Sequence, residues 1–141
     1  QLAVQYGADG IFVSNHGGRQ LDGAPSPIEV LPQIVNAVGK RLAIMVDSGF
    51  RRGSDIVKAL ALGADMVFLG RAPLYGVTAG GEEGVLHALN LLKSEVDRVM
   101  ALIGCKSVAE LGPEFLLLHD ARLPGVEALR RTEGVAKAQP V

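Results

Sequence analysis

Gly7-Ala8-Asp9-Gly10-Ile11-Phe12-Val13 is echoed by Gly63-Ala64-Asp65-Met66-Val67-Phe68-Leu69, 56 positions later. In each copy Gly-Ala-Asp leads into an apolar run rich in β-branched and aromatic residues. That spacing is two βα units of about 28 residues each, the kind of repetition a βα barrel produces. Gly and Asp are also common at any helix-to-strand turn, so the flanking segments must supply the rest.

Working outward, a third apolar run, Ala43-Ile44-Met45-Val46, lies between the two copies. All three runs, the others being Ile11 to Ser14 and Met66 to Leu69, are nearly continuous rather than alternating. Such runs predict strands buried on both faces. Helical patterns separate them. Ile28, Leu31, Ile34, Val35 and Val38 recur at three-to-four spacing before Gly39, and Ile56, Val57, Leu60 and Ala61 do so between Gly53-Ser54 and Gly63. The order β-α-β-α-β-α predicts an α/β fold with a parallel sheet. Beyond it, Val85, Leu89, Leu92, Val96, Val99 and Ile103 form the stripe of a long helix from about Glu82 to Ile103. A short helix is expected over Val108 to Leu111. Residues 1–118 read as one structural portion and 119–141 as an irregular tail. The opening Gln1 to Gly7 reads as the last turn of a helix closed by glycine, as in a piece of a longer chain.

Composition removes several functions. Lys and Arg number 14 against 15 Asp and Glu, so no basic face invites nucleic acid. No apolar run reaches the roughly 18 residues of a membrane span. A single cysteine, Cys105, rules out an intrachain disulfide and a Cys-rich zinc site and fits a reduced intracellular setting. No His/Asp/Glu spacing suggests a metal site. His87 lies within the long helix, His119 stands in the tail, and Cys105 is expected to be a packing residue.

The unusual polar residues follow the three strands, where parallel barrels build active sites. The first group is Ser14-Asn15-His16-Gly17-Gly18-Arg19-Gln20. An imidazole can take a proton near neutral pH, and a guanidinium can hold a carboxylate with two parallel bonds. A histidine satisfied by backbone and a solvated arginine fit the same spacing. The second group is Asp47-Ser48-Gly49-Phe50-Arg51-Arg52-Gly53-Ser54-Asp55, and the third is Leu69-Gly70-Arg71-Ala72-Pro73. Glycine and arginine at a strand-to-helix turn suit a phosphate. Singly, Arg51, Arg52 and Arg71 are better read as solvated or paired with acids such as Asp55. Together, beside the His/Arg loop, the two loops favour phosphate.

In order and content these three groups resemble the FMN-dependent α-hydroxy-acid dehydrogenases and oxidases, which include glycolate oxidase, L-lactate dehydrogenase and (S)-mandelate dehydrogenase. The likeness runs from about Gly7 to Leu116. Asp47 to Ala64, with Ser48-Gly49-Phe50 where many members have Gly-Gly-Val, most resembles the mandelate dehydrogenase branch. The resemblance implies a (β/α)8 TIM barrel in which this chain supplies strands six to eight and the C-terminal helices. It implies FMN at the rim, His16 as catalytic base that also touches substrate, and Arg19 on the substrate carboxylate. Ser14 would lie near the flavin, Asp47, Ser48, Gly49, Phe50 and Arg51 along the ribityl chain and phosphate, and Gly70 and Arg71 at the phosphate. The reaction implied is oxidation of an L-2-hydroxy acid, mandelate- or lactate-like, to the 2-oxo acid. Implied partners are that small-molecule acid, the N-terminal part of the same enzyme and further copies in a homo-tetramer, in the cytoplasm or peripheral to the inner membrane. Two rival readings are another FMN- or phosphate-binding barrel, an isomerase or nucleotide dehydrogenase lacking the His16/Arg19 pair, and a non-catalytic barrel fragment.

Overall fold

The computed structural model describes residues 1–117. After a short helix α1 (Leu2–Gln5), closed by Gly7 at φ +72°, come β1 (Gly10–Val13), α2 (Pro27–Val38), β2 (Ala43–Val46), α3 (Gly53–Ala61), β3 (Met66–Val67) and α4 (Arg71–Leu102). The strands form one parallel sheet in the order β1-β2-β3. Local chemistry sets the helix ends. Pro27 opens α2 with φ already helical, and Glu29 accepts hydrogen bonds from the Ser26 N–H (2.9 Å) and hydroxyl (2.7 Å). Those bonds, the hydroxyl's first, hold the Glu29 carboxyl below its ordinary range. Gly39, at φ +58°, ends the helix.

Register separates the two faces of the sheet. Ile11, Val13, Ile44, Val46 and Val67 share one side, whereas Phe12, Met45 and Met66 share the other. The first side belongs to a single core with Leu31 and Val38 of α2 and Ala59 of α3. Both crossover helices therefore cover the same face. Three parallel strands in sequence order with both crossover helices on one side make an α/β unit common to an arc of a βα barrel and to one half of a doubly wound sheet.

The other face corrects the expectation of strands buried on both sides. Phe12 is 46% exposed and Met66 53%, and the Phe12 and Phe68 rings meet at 4.9 Å on an open surface. No described element covers them, so the continuous apolar pattern is satisfied on one side only.

The expected helix runs from just after Gly81 to Leu102, but a limb from Arg71 that was not expected precedes it across a break at Gly80 and Gly81 (φ +57°). Gly76 and Gly84 face each other across the break, where a Cβ on either would strike the other's backbone. Of the predicted stripe, Leu92 is buried and Val85, Val96 and Val99 are half-buried, but Leu89 and Ile103 are exposed. Residues 108–110 form the short helical turn, of 3-10 type. Cys105 is buried beside Val57 and Met100, its thiol donating to the Ser107 carbonyl at 3.2 Å. No described helix is long and apolar enough to cross a membrane. The expected tail, 119–141, with His119, lies outside the described residues.

Candidate active site

The loop after β1 is built on left-handed backbone. His16 (φ +58°), Gly17 (+67°) and Gly18 (+75°) follow one another there. For a non-glycine residue this conformation costs on the order of 1–3 kcal/mol and persists only where its surroundings enforce it. Three side chains do so. The His16 N–H donates to Ser14 Oγ (3.1 Å), and the Gly17 N–H is shared between Asn15 Oδ1 (3.0 Å) and Ser48 Oγ (3.0 Å). Asn15 Nδ2 in turn donates to the Pro25 carbonyl at 3.4 Å. Arg19 closes the turn, its N–H donating to the His16 carbonyl at 3.3 Å.

The loop after β2 turns the same way. The Asp47 N–H continues the ladder to the Val13 carbonyl (3.2 Å), after which Ser48 (φ +73°) and Gly49 (+89°) reverse the chain. The Ser48 hydroxyl donates to Asp47 Oδ1 at 2.7 Å. Phe50 anchors the loop with its ring buried in the core, so only its backbone can face a ligand. Asp55, suggested as an arginine's partner, accepts instead from the main-chain N–H groups of Arg51 (3.2 Å) and Arg52 (3.0 Å).

The two arginines then part company. Arg52 donates to Glu95 through Nε (3.1 Å) and Nη2 (2.9 Å), and Glu95 also takes the Gly53 N–H at 2.7 Å. The pair docks α3 on α4, so close at Gly53 that a Cβ would strike Glu95 and Val96. The Arg52 bond first, and the Gly53 N–H second, hold the Glu95 carboxyl below its usual range, while Glu95 raises the Arg52 guanidinium. Arg51 is exposed.

After β3, the Phe68 N–H bonds the Val46 carbonyl (2.8 Å), and Gly70 precedes Arg71 at the start of α4. A Cβ on Gly70 would meet nothing within 4 Å, and one on Gly17 would lie 3.5 Å from the Arg71 guanidinium. Gly17 is thus where the three loops meet, with the Ser48 hydroxyl on its N–H and Arg71 beside its Cα. Ser14, His16, Asp47, Ser48 and Arg71 come together at one rim. The side chains of His16, Arg19, Arg51 and Arg71 make no hydrogen bond or ion pair among the described residues. His87 is exposed on α4, and no group of three or more His, Cys, Asp or Glu suited to a metal occurs among the described residues. Sequence reasoning left out Asn15 and the double duty of Gly17. Asn ahead of two glycines is a turn signal that could have pointed to Asn15. A cavity of about 390 Å³ between α1, α2 and β1 is lined by Ile11, Val13, Val30 and Ile34 and reaches Ser14 at the strand end.

This geometry has close relatives. The family described as FMN-dependent dehydrogenase matches residues 1–118. The chain is 53% identical over 138 residues to (S)-mandelate dehydrogenase of Pseudomonas putida, covering 98% of this chain and 31% of that protein. It is 51% identical over 116 residues to an L-lactate oxidase of Nostoc sp., covering 82% and 32%. A crystal structure of (S)-mandelate dehydrogenase, described as a monotopic membrane protein, superposes with a TM-score of 0.79 at 57% identity, covering 82% of this chain and 31% of that one. The chain thus spans about a third of the length of these relatives. Over that third, the chain belongs to the FMN-dependent dehydrogenase family.

Proposed function

We propose that this chain is the C-terminal part of a (β/α)8 barrel, strands six to eight, of an enzyme that oxidises an L-2-hydroxy acid to its 2-oxo acid with FMN. The observation that carries the reading is an unpaired histidine, held in strained backbone one turn from an unpaired arginine, with Arg71 against the same loop. Strain at a strand end is worth its cost where it aims a side chain. His16 takes up the proton that leaves the substrate. Arg19 binds the carboxylate and orients the carbon to be oxidised. The residues fit the cofactor: Arg51 and Arg71 offer free guanidinium groups, the α4 N-terminus follows open Gly70, and Ser48-Gly49 turn the backbone toward the rim. FMN, when bound, would accept the two electrons together with the substrate's second hydrogen.

Ser14, Asp47, Ser48, Gly49, the Phe50 backbone and Gly70 complete the cradle in this reading. The bare Phe12/Met66/Phe68 face becomes barrel interior, and the N-terminal part of the enzyme covers it and the apolar cavity beside β1. A homo-tetramer is proposed on family resemblance. A cytoplasmic or inner-membrane-peripheral location is proposed with it, and the monotopic mandelate relative supports the peripheral form.

The test is His16→Ala in the complete enzyme. Turnover of a mandelate- or lactate-like acid is expected to fall at least about a hundredfold, the usual contribution of a general base, with the flavin still bound. Retention of more than about a tenth of the activity would remove His16 as base.

A further inference from the structure

We propose that Ser48 is a positioning residue whose hydroxyl tethers the His16 loop to the end of β2. The inference rests on His16 being the base. Ser48 Oγ accepts from the Gly17 N–H at 3.0 Å and donates to Asp47 Oδ1 at 2.7 Å. The hydroxyl's one proton and one of its two lone pairs are therefore engaged within the protein. The Gly17 N–H is the first main-chain group after His16, so fixing it fixes the left-handed turn that presents the imidazole. Asn15 Oδ1 shares that N–H but moves with the loop. Ser48 supplies the only side-chain hydrogen bond, among the described residues, between residues 14–20 and 47–52. The aspartate behind the hydroxyl orients its proton and leaves a lone pair for Gly17, as a fixed acceptor requires.

The position also has a cost. Ser48 stands at φ +73°, a region that glycine occupies freely and serine does not. A chain with serine here keeps strain that glycine would relieve. A hydroxyl that holds the catalytic turn accounts for the exchange.

Two variants of the complete holoenzyme separate the tether from plain packing. Ser48→Gly removes the hydroxyl and the strain together, so Tm is expected to hold or rise. Ser48→Ala removes the hydroxyl and keeps a side chain in left-handed backbone, so Tm is expected to fall. If Ser48 only packs, turnover follows Tm. If it tethers, both variants lose kcat alike, by about three- to tenfold, the worth of one net hydrogen bond. The KM for the 2-hydroxy acid stays within about twofold, because Arg19 and not Ser48 grips it. Amide hydrogen exchange across residues 15–19 quickens by a similar three- to tenfold factor. Wild-type kcat in Ser48→Gly, or unaltered exchange at 15–19, overturns the tether. If the wild-type enzyme oxidises no 2-hydroxy acid, the proposed function fails instead, and exchange at 15–19 alone then decides whether Ser48 holds the loop.

Discussion

The two ends of the same strands are finished differently. At the N-terminal ends every polar group named is bonded inside the protein. The Asp65 carboxylate accepts the Ile44 N–H (2.7 Å) while its own N–H reaches the Ile44 carbonyl (2.8 Å). Asp9 offers its carbonyl to the Ala43 N–H at 3.0 Å, and Arg41 spends its guanidinium on the Val38 (2.8 Å) and Ala37 (2.6 Å) carbonyls at the end of α2. Gly63, at φ +100°, lies under Val35, where a Cβ would crowd the valine at 2.9 Å. At the C-terminal ends most of the bonds go to the backbone that carries the side chains, and the guanidinium groups of Arg19, Arg51 and Arg71 are left over while Arg52 pairs with Glu95. His16 and Ser48 accept left-handed strain there, whereas left-handed turns at the opposite end are taken by Gly7 and Gly63. The contrast separates arginines whose guanidinium is spent within the chain from those whose guanidinium is left over. Arg41 and Arg52 have partners and finish helices; Arg19, Arg51 and Arg71 have none among the described residues. In βα barrels the same division separates stability from catalysis.

The division is open to attack from both ends, most forcefully at Arg19. If its fork grips a carboxylate, lysine keeps the charge but not the geometry. Arg19→Lys in the complete enzyme is expected to raise KM and lower kcat, and Arg19→Ala to cost about tenfold to a hundredfold in kcat/KM, the worth of a charge-assisted hydrogen bond. Wild type should discriminate a 2-hydroxy acid from its uncharged amide, and Arg19→Ala should lose that discrimination. Equal discrimination by both would show that Arg19 does not bind the carboxylate.

A smaller effect, opposite in kind, is expected at Asp65. Asp65→Ala strips the half-buried Ile44 N–H of its side-chain acceptor and should lower unfolding free energy by about 1–3 kcal/mol. Turnover per bound flavin should stay at the wild-type level. A loss of turnover per flavin, with stability unchanged, would erase the distinction between the two ends.

How much of this was readable from residues alone follows the range of the interactions. The three strands and α2 and α3 rest on local patterns: apolar runs, the Pro27 start, the Gly39 stop, the Gly-Ala-Asp turns. They fell within a few residues of expectation. The first limb of α4 did not, because four glycines between 76 and 84 resemble a loop. Only the contact of Gly76 with Gly84 shows that glycine is required there. The bare sheet face was hidden because an apolar run does not say which chain segment covers it. At the site, the motif loops were visible and so was their placement after strands. Which arginine was free was not, since the partner of Arg52 lies 43 positions away. The meeting of Ser48, Gly17 and Arg71 joins three loops that are distant in sequence. No spacing rule encodes it.

The central claim is that unpaired arginines at the C-terminal rim bind anions, Arg19 the substrate carboxylate and Arg51 and Arg71 the FMN phosphate, and that paired ones do not. Its most direct test is FMN retention on dialysis of two complete-enzyme variants, Arg71→Ala and Arg52→Ala, held well below their melting temperatures. Arg71→Ala is expected to raise the FMN Kd about tenfold or more, as loss of a hydrogen bond to a charged group should, and Arg52→Ala to keep FMN as wild type does. Equal retention by the two, or greater loss from Arg52→Ala, would contradict the claim.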